Sequence, residues 1–455
     1  MRRTTFALAI ALALPVFAQS DVNRIIDTMV ASPRAYETLS YLTDHIGPRL
    51  SGSKNADLAV QWAMKKYREW GVDAHTEPVM VPHWVRGAEW GRLVSHNDQK
   101  IVLTALGGSV STPAAGLTAE VVEVTSFDDL AKLGRAKLKG KIVLYNKPMD
   151  MTLVESGRAF EAYGDAVVFR GTGASRAAEF GAVASLVRSV SSASLRTPHT
   201  GSTRYDEQQP KIPAGAVTPE DAELMHRLIA SGEKVRLHLV LTPKTLPDKM
   251  SANVVAEIRG SERPNEIVLI GGHLDSWDLG TGAIDDGSGC AMVMETMRTL
   301  QELGIRPKRT IRAVLFMNEE NGLRGGRAYF AGAAKREEVS RHVAAIETDA
   351  GAAPPVGFIT TLHGDALTRF TARVQSLNRI APLSWESSKH TGADTSPLTD
   401  AGVPGFGLVP EPRHYFDFHH TPADTLDKID PKALAQDSAA IAALAYVIAD
   451  LDGEL

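Results

Sequence analysis

Apolar and polar positions follow two different periods along this chain. From Asp21 to Trp70 apolar residues recur at three- and four-residue spacing, the pattern of a helix burying one stripe, with an interruption at GPRLSGS, residues 47–53. The segment ADLAVQWAMKKYREWG keeps that spacing and stops at Gly71. From about Gly107 to Pro243 the texture changes. Short β-rich runs (LTAEVVEV, GKIVLYN, AVASLVR, VRLHLVL) are separated by Gly-, Ser- and Pro-rich turns. GTGAS at 171–175 lacks the lysine of a phosphate loop and reads as one of those turns. From Ser251 onward strands and helices alternate strictly. EIVLIGG, TIRAVLFMN, HVAAIETDA and VPGFGLV read as strands, and CAMVMETMRTLQEL as a helix. Continuous apolar strands between helices predict an α/β fold, with a mixed, mostly parallel sheet covered by helices on both faces. Sites in such sheets gather at the carboxyl ends of the strands.

Composition narrows the class. The 455 residues are 44% hydrophobic and 23% charged, as in ordinary globular proteins. A net charge of -5 gives no electrostatic case for nucleic acid or an anionic membrane. Arg2 and Arg3, an apolar core from Phe6 to Phe17 and the Val16-Phe17-Ala18 cleavage pattern predict a signal peptide over 1–18, hence a periplasmic or secreted protein. The core is shorter than the roughly 20 apolar residues that span a bilayer. Cys290 is the single cysteine. An intramolecular disulfide and a thiolate metal site are both excluded, which leaves His, Asp and Glu as ligands.

Four strand exits carry such residues. The first, GGHLDSWDLGTGAIDDGSG, holds His273, Asp275, Asp285 and Asp286; FMNEENG holds Glu319 and Glu320. IETDAG holds Glu347 and Asp349, and RHYFDFHHTPADT holds His414, His419, His420 and Asp424. Each alone is weak, but a sheet brings its exits together. Imidazoles and carboxylates without cysteine suit zinc, with cobalt or manganese as alternatives. His273 and Asp275 are two apart, so in an extended segment Asp275 can take the second imidazole proton of His273. Adjacent Glu319 and Glu320 diverge, so one can bind metal while the other serves as general base.

HLDSWDLGTGAIDDGSG, NEENGLRGG, ETDAG and HHTPADT, in that order, resemble the two-zinc aminopeptidase and glutamate carboxypeptidase family of metallopeptidases. The similarity covers roughly residues 30–110 and 245–450. The resemblance implies a peptidase domain in two parts, 19–106 and 244–455, around an inserted β-rich protease-associated domain at 107–243. By position it implies His273 and Asp349 on one metal, Glu320 and His420 on the other, and Asp285 bridging them. Asp275 would support His273, and Glu319 would be the base. His420 is preferred to His419 because the family pattern His-Thr-x-x-Asp-Thr is met by His420, Thr421, Asp424 and Thr425. A cis peptide between Asp285 and Asp286 and a homodimer are implied too. Family members often carry Ser-Asp-His where this chain reads Gly392-Ala393-Asp394-Thr395, so HTGADTSP is expected to line the substrate cleft or a subunit contact.

The function these readings predict is that of an exported dinuclear zinc exopeptidase, an aminopeptidase or dipeptidase acting on short peptides with free ends. Metal-activated water would attack with Glu319 as base. Tyr415 is weighed as an oxyanion donor against a core tyrosine. Arg324, Arg327 and Arg413 are weighed as carboxylate binders against solvated arginines. Two alternatives stand beside it: a single-zinc enzyme of the glutaminyl cyclase type, and a non-catalytic receptor-like binding protein.

Overall fold

The computed structural model describes residues 16–453 and 455. The expected signal peptide therefore lies outside the described residues except for 16–18, which open the helix Val16–Val30. Among the described residues sixteen strands, β1 to β16 in chain order, form two eight-stranded sheets.

The first sheet runs in the order β1 (Asp73–Val85), β10 (Lys244–Ile258), β12 (Arg309–Phe316), β11 (Arg263–His273), β13 (His342–Glu347), β16 (Gly405–Pro410), β14 (Pro355–Thr360), β15 (Ser384–Ser387). Its centre, β12-β11-β13-β16, is parallel, and antiparallel pairs flank it. Successive residues feed opposite faces, as the period of two requires. Val268, Ile270, Ala313, Leu315, Ala344 and Ile346 enter one core, whereas Leu269, Val314, Phe316 and Ala345 enter another. The helices Ser288–Glu302 and Pro431–Asp450 pack on the first face. Tyr329, from the helix Arg324–Lys335, packs on the second. The apolar helix Pro431–Asp450 is long enough to cross a membrane, but it is 83% buried inside this core.

The GPRLSGS interruption is a built turn. Gly47 and Gly52 take positive φ of 78° and 85°, and the Ser53 hydroxyl then caps the helix Lys54–Glu69 through the Ala56 amide at 3.1 Å.

The second sheet runs β3 (Gln99–Ile101), β2 (Glu89–Leu93), β9 (Arg236–Leu241), β5 (Leu117–Val124), β6 (Ile142–Tyr145), β7 (Ala184–Arg188), β8 (Ala214–Val217), β4 (Leu103–Ala105). Its strands begin at Glu89, before the expected start at residue 107. The unit is also less β-rich than its sequence reads, because the helices Phe127–Leu138, Ala159–Glu179 and Pro219–Ala230 contribute more residues than its strands from 107 onward.

GTGAS is no turn. It lies inside the helix Ala159–Glu179, where Gly173 has no room for a side chain: a Cβ would stand 2.8 Å from the Tyr145 ring. The small residues bring helix and sheet into contact; they do not break the helix.

Candidate metal centre

Because β12, β11, β13 and β16 are parallel, their carboxyl ends share one edge, and the acidic and imidazole-rich segments leave from it. His273 is the last residue of β11, with Phe316 of β12 as its register partner. Glu319 and Glu320 follow β12, Asp349 lies two residues beyond β13, and His419 and His420 follow β16.

Asp285 is the meeting point. Its Oδ1 lies 2.9 Å from His273 Nε2, and its Oδ2 lies 3.0 Å from His420 Nε2 and 3.1 Å from His419 Nε2. His420 Nε2 is also 3.0 Å from Glu320 Oε2, and His273 Nε2 is 3.6 Å from Asp349 Oδ1. Two tetrahedral zinc ligands, each about 2.0–2.1 Å from the ion, stand about 3.4 Å apart. The observed separations fall around that value, so the five residues fit the metals their chemistry suggests.

Electrostatics point the same way. Desolvation pushes the Glu320 and Glu319 carboxyls well above the usual range, and neighbouring carboxylates add to it while His273 opposes it. Asp286 is raised too, by burial and by Asp349. Burial favours the neutral form of Asp285, yet His419, with hydrogen bonds from all three imidazoles, holds it well below the usual range. Burial also opposes charge on His273, but Asp285 and Asp349 outweigh it and raise that imidazole. A buried cluster in which several acids resist ionisation is short of positive charge, which a divalent cation supplies.

The surrounding loops are held from several directions. Asp286 and Asp285 are joined by a cis peptide, as the resemblance implies, and Asp286 Oδ2 accepts from the His273 amide at 3.0 Å. Asp424 Oδ1 accepts from the Ala283 and Ile284 amides at 2.8 and 2.7 Å. Arg49, fully buried, donates to the carbonyls of Leu274, Thr281 and Gly282 at 2.6, 2.6 and 2.9 Å. Asn318 and His420 take left-handed backbone, φ 75° and 61°, a conformation retained where the surroundings over-determine it.

Asp275 supports a different neighbour from the one its spacing suggests. His273 Nδ1 hydrogen-bonds to the Asp275 backbone carbonyl at 3.0 Å, while the carboxylate is 3.8 Å away. Asp275 Oδ1 instead accepts from the amides of Asn318 and Glu319 at 2.7 and 3.1 Å. The carboxylate thus aims across to the segment that follows β12.

Glu347 is engaged elsewhere. Its oxygens accept from the amides of Ala393, Asp394 and Thr395 at 2.7, 3.1 and 2.7 Å. The segment expected to line a cleft or subunit contact thus wraps this buried carboxylate, and a Cβ on Gly392 would meet it at 2.2 Å. Tyr415 is buried and stacked on Phe160. The three weighed arginines have local partners: Arg324 pairs with Asp248, Arg413 with Glu411, and Arg327 donates to the Gly322 carbonyl.

Sequence reasoning missed the contribution of the second-sheet unit. Residues 199–203 form a strap across the site: Thr200 N donates to the His420 carbonyl at 2.9 Å, and Ser202 Oγ to the Glu320 carbonyl at 2.8 Å. His199 Nε2 lies 2.9 Å from His419 Nδ1. Arg170 Nη1 lies 3.3 Å from both His420 Nδ1 and the Thr200 carbonyl, with the guanidinium over the Tyr163 ring. Trp277 lies edge-on to His420, and its amide donates to Glu320 Oε1 at 3.0 Å. Burial and neighbouring imidazoles lower His199 well below the ordinary value and His419 to about 4. A histidine in RTPHTGS, with no acidic or imidazole neighbour, carries no signal of such a role.

Comparisons with known proteins identify the family and the fold. The model for peptidase family M28 matches residues 253–445. Human carboxypeptidase Q is 40% identical over 423 residues, 93% of this chain and 86% of that protein. The crystal structure of a peptidase M28 precursor from Shewanella amazonensis SB2B superposes with a TM-score of 0.92 at 38% identity, covering 96% of this chain and 98% of that one. BSAP, a zinc aminopeptidase from Bacillus subtilis, shares the fold at a TM-score of 0.64 and 22% identity, covering 91% of this chain and 94% of that one. The molecule is a metallo-exopeptidase, a peptide-bond hydrolase built on a sheet-edge cluster of imidazoles and carboxylates. Within that class, the chain belongs to peptidase family M28.

Proposed function

We propose that this protein is an exported dinuclear zinc exopeptidase that hydrolyses dipeptides or short peptides with free termini, with Glu319 as general base. The observation that carries the reading is Asp285, whose two oxygens face different imidazoles, His273 and His420. A carboxylate presented on both sides is what a pair of ions sharing one ligand requires. His273 and Asp349 would hold one ion, and Glu320 and His420 the other. Zinc, when bound, supplies the charge that polarises the scissile carbonyl and lowers the pKa of water.

The chain's own residues do the rest. Glu319 follows β12 on a backbone that Asp275 fixes, and it takes a proton from the attacking water and returns it to the departing amine. Raising its pKa toward the working range suits a group that must first accept and then donate.

The test combines metal analysis with a panel of dipeptides carrying free or blocked ends, assayed on stripped and zinc-restored protein. Two zincs per chain and hydrolysis that depends on a free end are expected. One zinc per active chain, or turnover of glutaminyl substrates by cyclisation, overturns the reading. Glu319→Gln is expected to lower kcat by about 10²–10⁴-fold and keep both zincs; a fully active variant removes Glu319 from the role.

A further inference from the structure

We propose that His199 and His419 form a hydrogen-bonded pair through which the second-sheet unit holds the carboxylate of Asp285 in its bridging orientation. His199 is thereby a positioning residue of the metal centre, although it lies far upstream of every ligand in the chain. The inference rests on the reading of Asp285 as the shared ligand.

The chain of contacts has one consistent protonation pattern. Asp285 Oδ2 can only accept, so His419 Nε2, 3.1 Å away, carries the proton between them. Were His419 Nδ1 the donor to His199, His199 would carry its own proton on Nδ1, a buried nitrogen with no acceptor in reach, so the His419 Nδ1 is bare. His199 Nε2 stands 2.9 Å from it and must be the donor. His199 Nδ1 is left bare, and it is a buried nitrogen without a hydrogen-bond partner. The amide of His199 is fixed by Ser189 Oγ at 2.9 Å, and the next residue is tied to the His420 carbonyl.

Packing keeps the rings in register. His419 stacks on His420 with centroids 3.6 Å apart and 19° between planes, and Tyr163 meets both His199 and His419 edge-on. Gly201 makes the strap's close approach possible: its φ is 139°, and a Cβ there would lie 2.3 Å from the Arg170 guanidinium carbon. With His419 donating to Oδ2, the carboxylate plane is set so that Oδ1 faces His273. A metal ligand whose supporting partner is removed typically loses 10–100-fold in metal affinity.

The same imidazoles invite a rival, a further metal held by His199, His419 and His420. Arg170 beside His420 disfavours a cation there, and 2.9 Å between two imidazole nitrogens is a hydrogen-bond distance.

The experiment compares zinc dissociation constants, by chelator competition, for the unmodified full chain, His199→Phe and His199→Gln. Phenylalanine keeps the ring and deletes the donor, whereas glutamine places an amide N–H near the Nε2 position. Affinity is expected to fall about 10–100-fold in His199→Phe and to stay near the unmodified value in His199→Gln. Nitrogen-15 NMR of the zinc-loaded, histidine-labelled protein needs no variant, and it is expected to report protons on Nε2 of both His199 and His419. Unchanged affinity in His199→Phe, equal losses in both variants, a proton on His419 Nδ1, or a third zinc that His199→Phe loses would each overturn the proposal. A single zinc in the unmodified protein sinks the dinuclear reading together with it. Two zincs and an unaffected His199→Phe sink the positioning role alone.

Discussion

Glu319 and Glu320 share a peptide bond but not an environment. Glu320 is gripped by the Trp277 amide and faces His420, whereas Glu319 is steered through its backbone by Asp275. Deleting the Asp275 carboxylate leaves two amides without an acceptor and lets the base drift. Asp275→Ala is expected to lower kcat about 10–100-fold with both zincs retained and KM little changed, and Asp275→Asn to recover part of it; steady-state kinetics with metal analysis decides. A second residue-scale test lies away from the site. His342, buried between the Tyr329 hydroxyl and the Glu338 carbonyl, is lowered to about 4 by burial. Its folded pKa lies below the unfolded value near 6.5, so the stability it contributes is present above pH 6.5 and lost as pH falls toward 4. The full difference is about 3 kcal/mol. His342→Gln, which cannot titrate, is expected to flatten the stability profile between pH 6.5 and 4 in denaturant titrations.

At the scale of elements, the loop after β11 depends on a residue from a different part of the chain. Arg49 sits in the turn before the helix Lys54–Glu69, yet its guanidinium satisfies three carbonyls on both sides of Asp275 and ahead of Asp285. A buried acceptor left without its donor costs about 1–3 kcal/mol. Arg49→Leu is therefore expected to destabilise the fold by about 3 kcal/mol or more and to weaken zinc binding. Arg49→Lys, with one ammonium for three carbonyls, is expected to recover only a fraction. Thermal melts and chelator competition measure both. An arginine that follows Gly-Pro gives no hint of this in print, because the carbonyls it meets are more than 200 positions away.

At the scale of the whole molecule, two sheets meet over one cluster of acids. Without metal the acids oppose one another: burial lifts Asp424 to about 7 and holds Glu319, Glu320 and Asp286 well above their usual range. For Asp424, the stability present below pH 3.8 is lost as pH rises through 7. In metal-stripped protein this contribution opposes that of His342, so Asp424→Asn, which cannot titrate, is expected to remove the Asp424 share of the melting-temperature fall between pH 3.8 and 7. Zinc at a thousandfold excess over its dissociation constant adds about 4 kcal/mol and is expected to weaken or reverse that trend, as calorimetry at several pH values will measure.

The four parallel strands β11, β12, β13 and β16, the helix Ser288–Glu302 and the exits carrying His273, Asp285, Glu320, Asp349 and His420 were readable in the chain, because a buried parallel sheet imposes continuous apolar runs and puts its chemistry where those runs end. Strands β1, β10, β14 and β15 of the same sheet were not. GTGAS misled because glycine marks a tight turn and a close helix contact with the same letters. Side-chain aim was beyond reach: whether Asp275 meets His273 or Glu319 turns on where the segment after β12 passes, which spacing does not encode. The strap carrying His199, the guanidinium of Arg49 and the wrapping of Glu347 by residues 393–395 were decided by tertiary structure alone. They join segments whose local patterns are independent, and packing, not periodicity, determines which distant donors meet which buried acceptors.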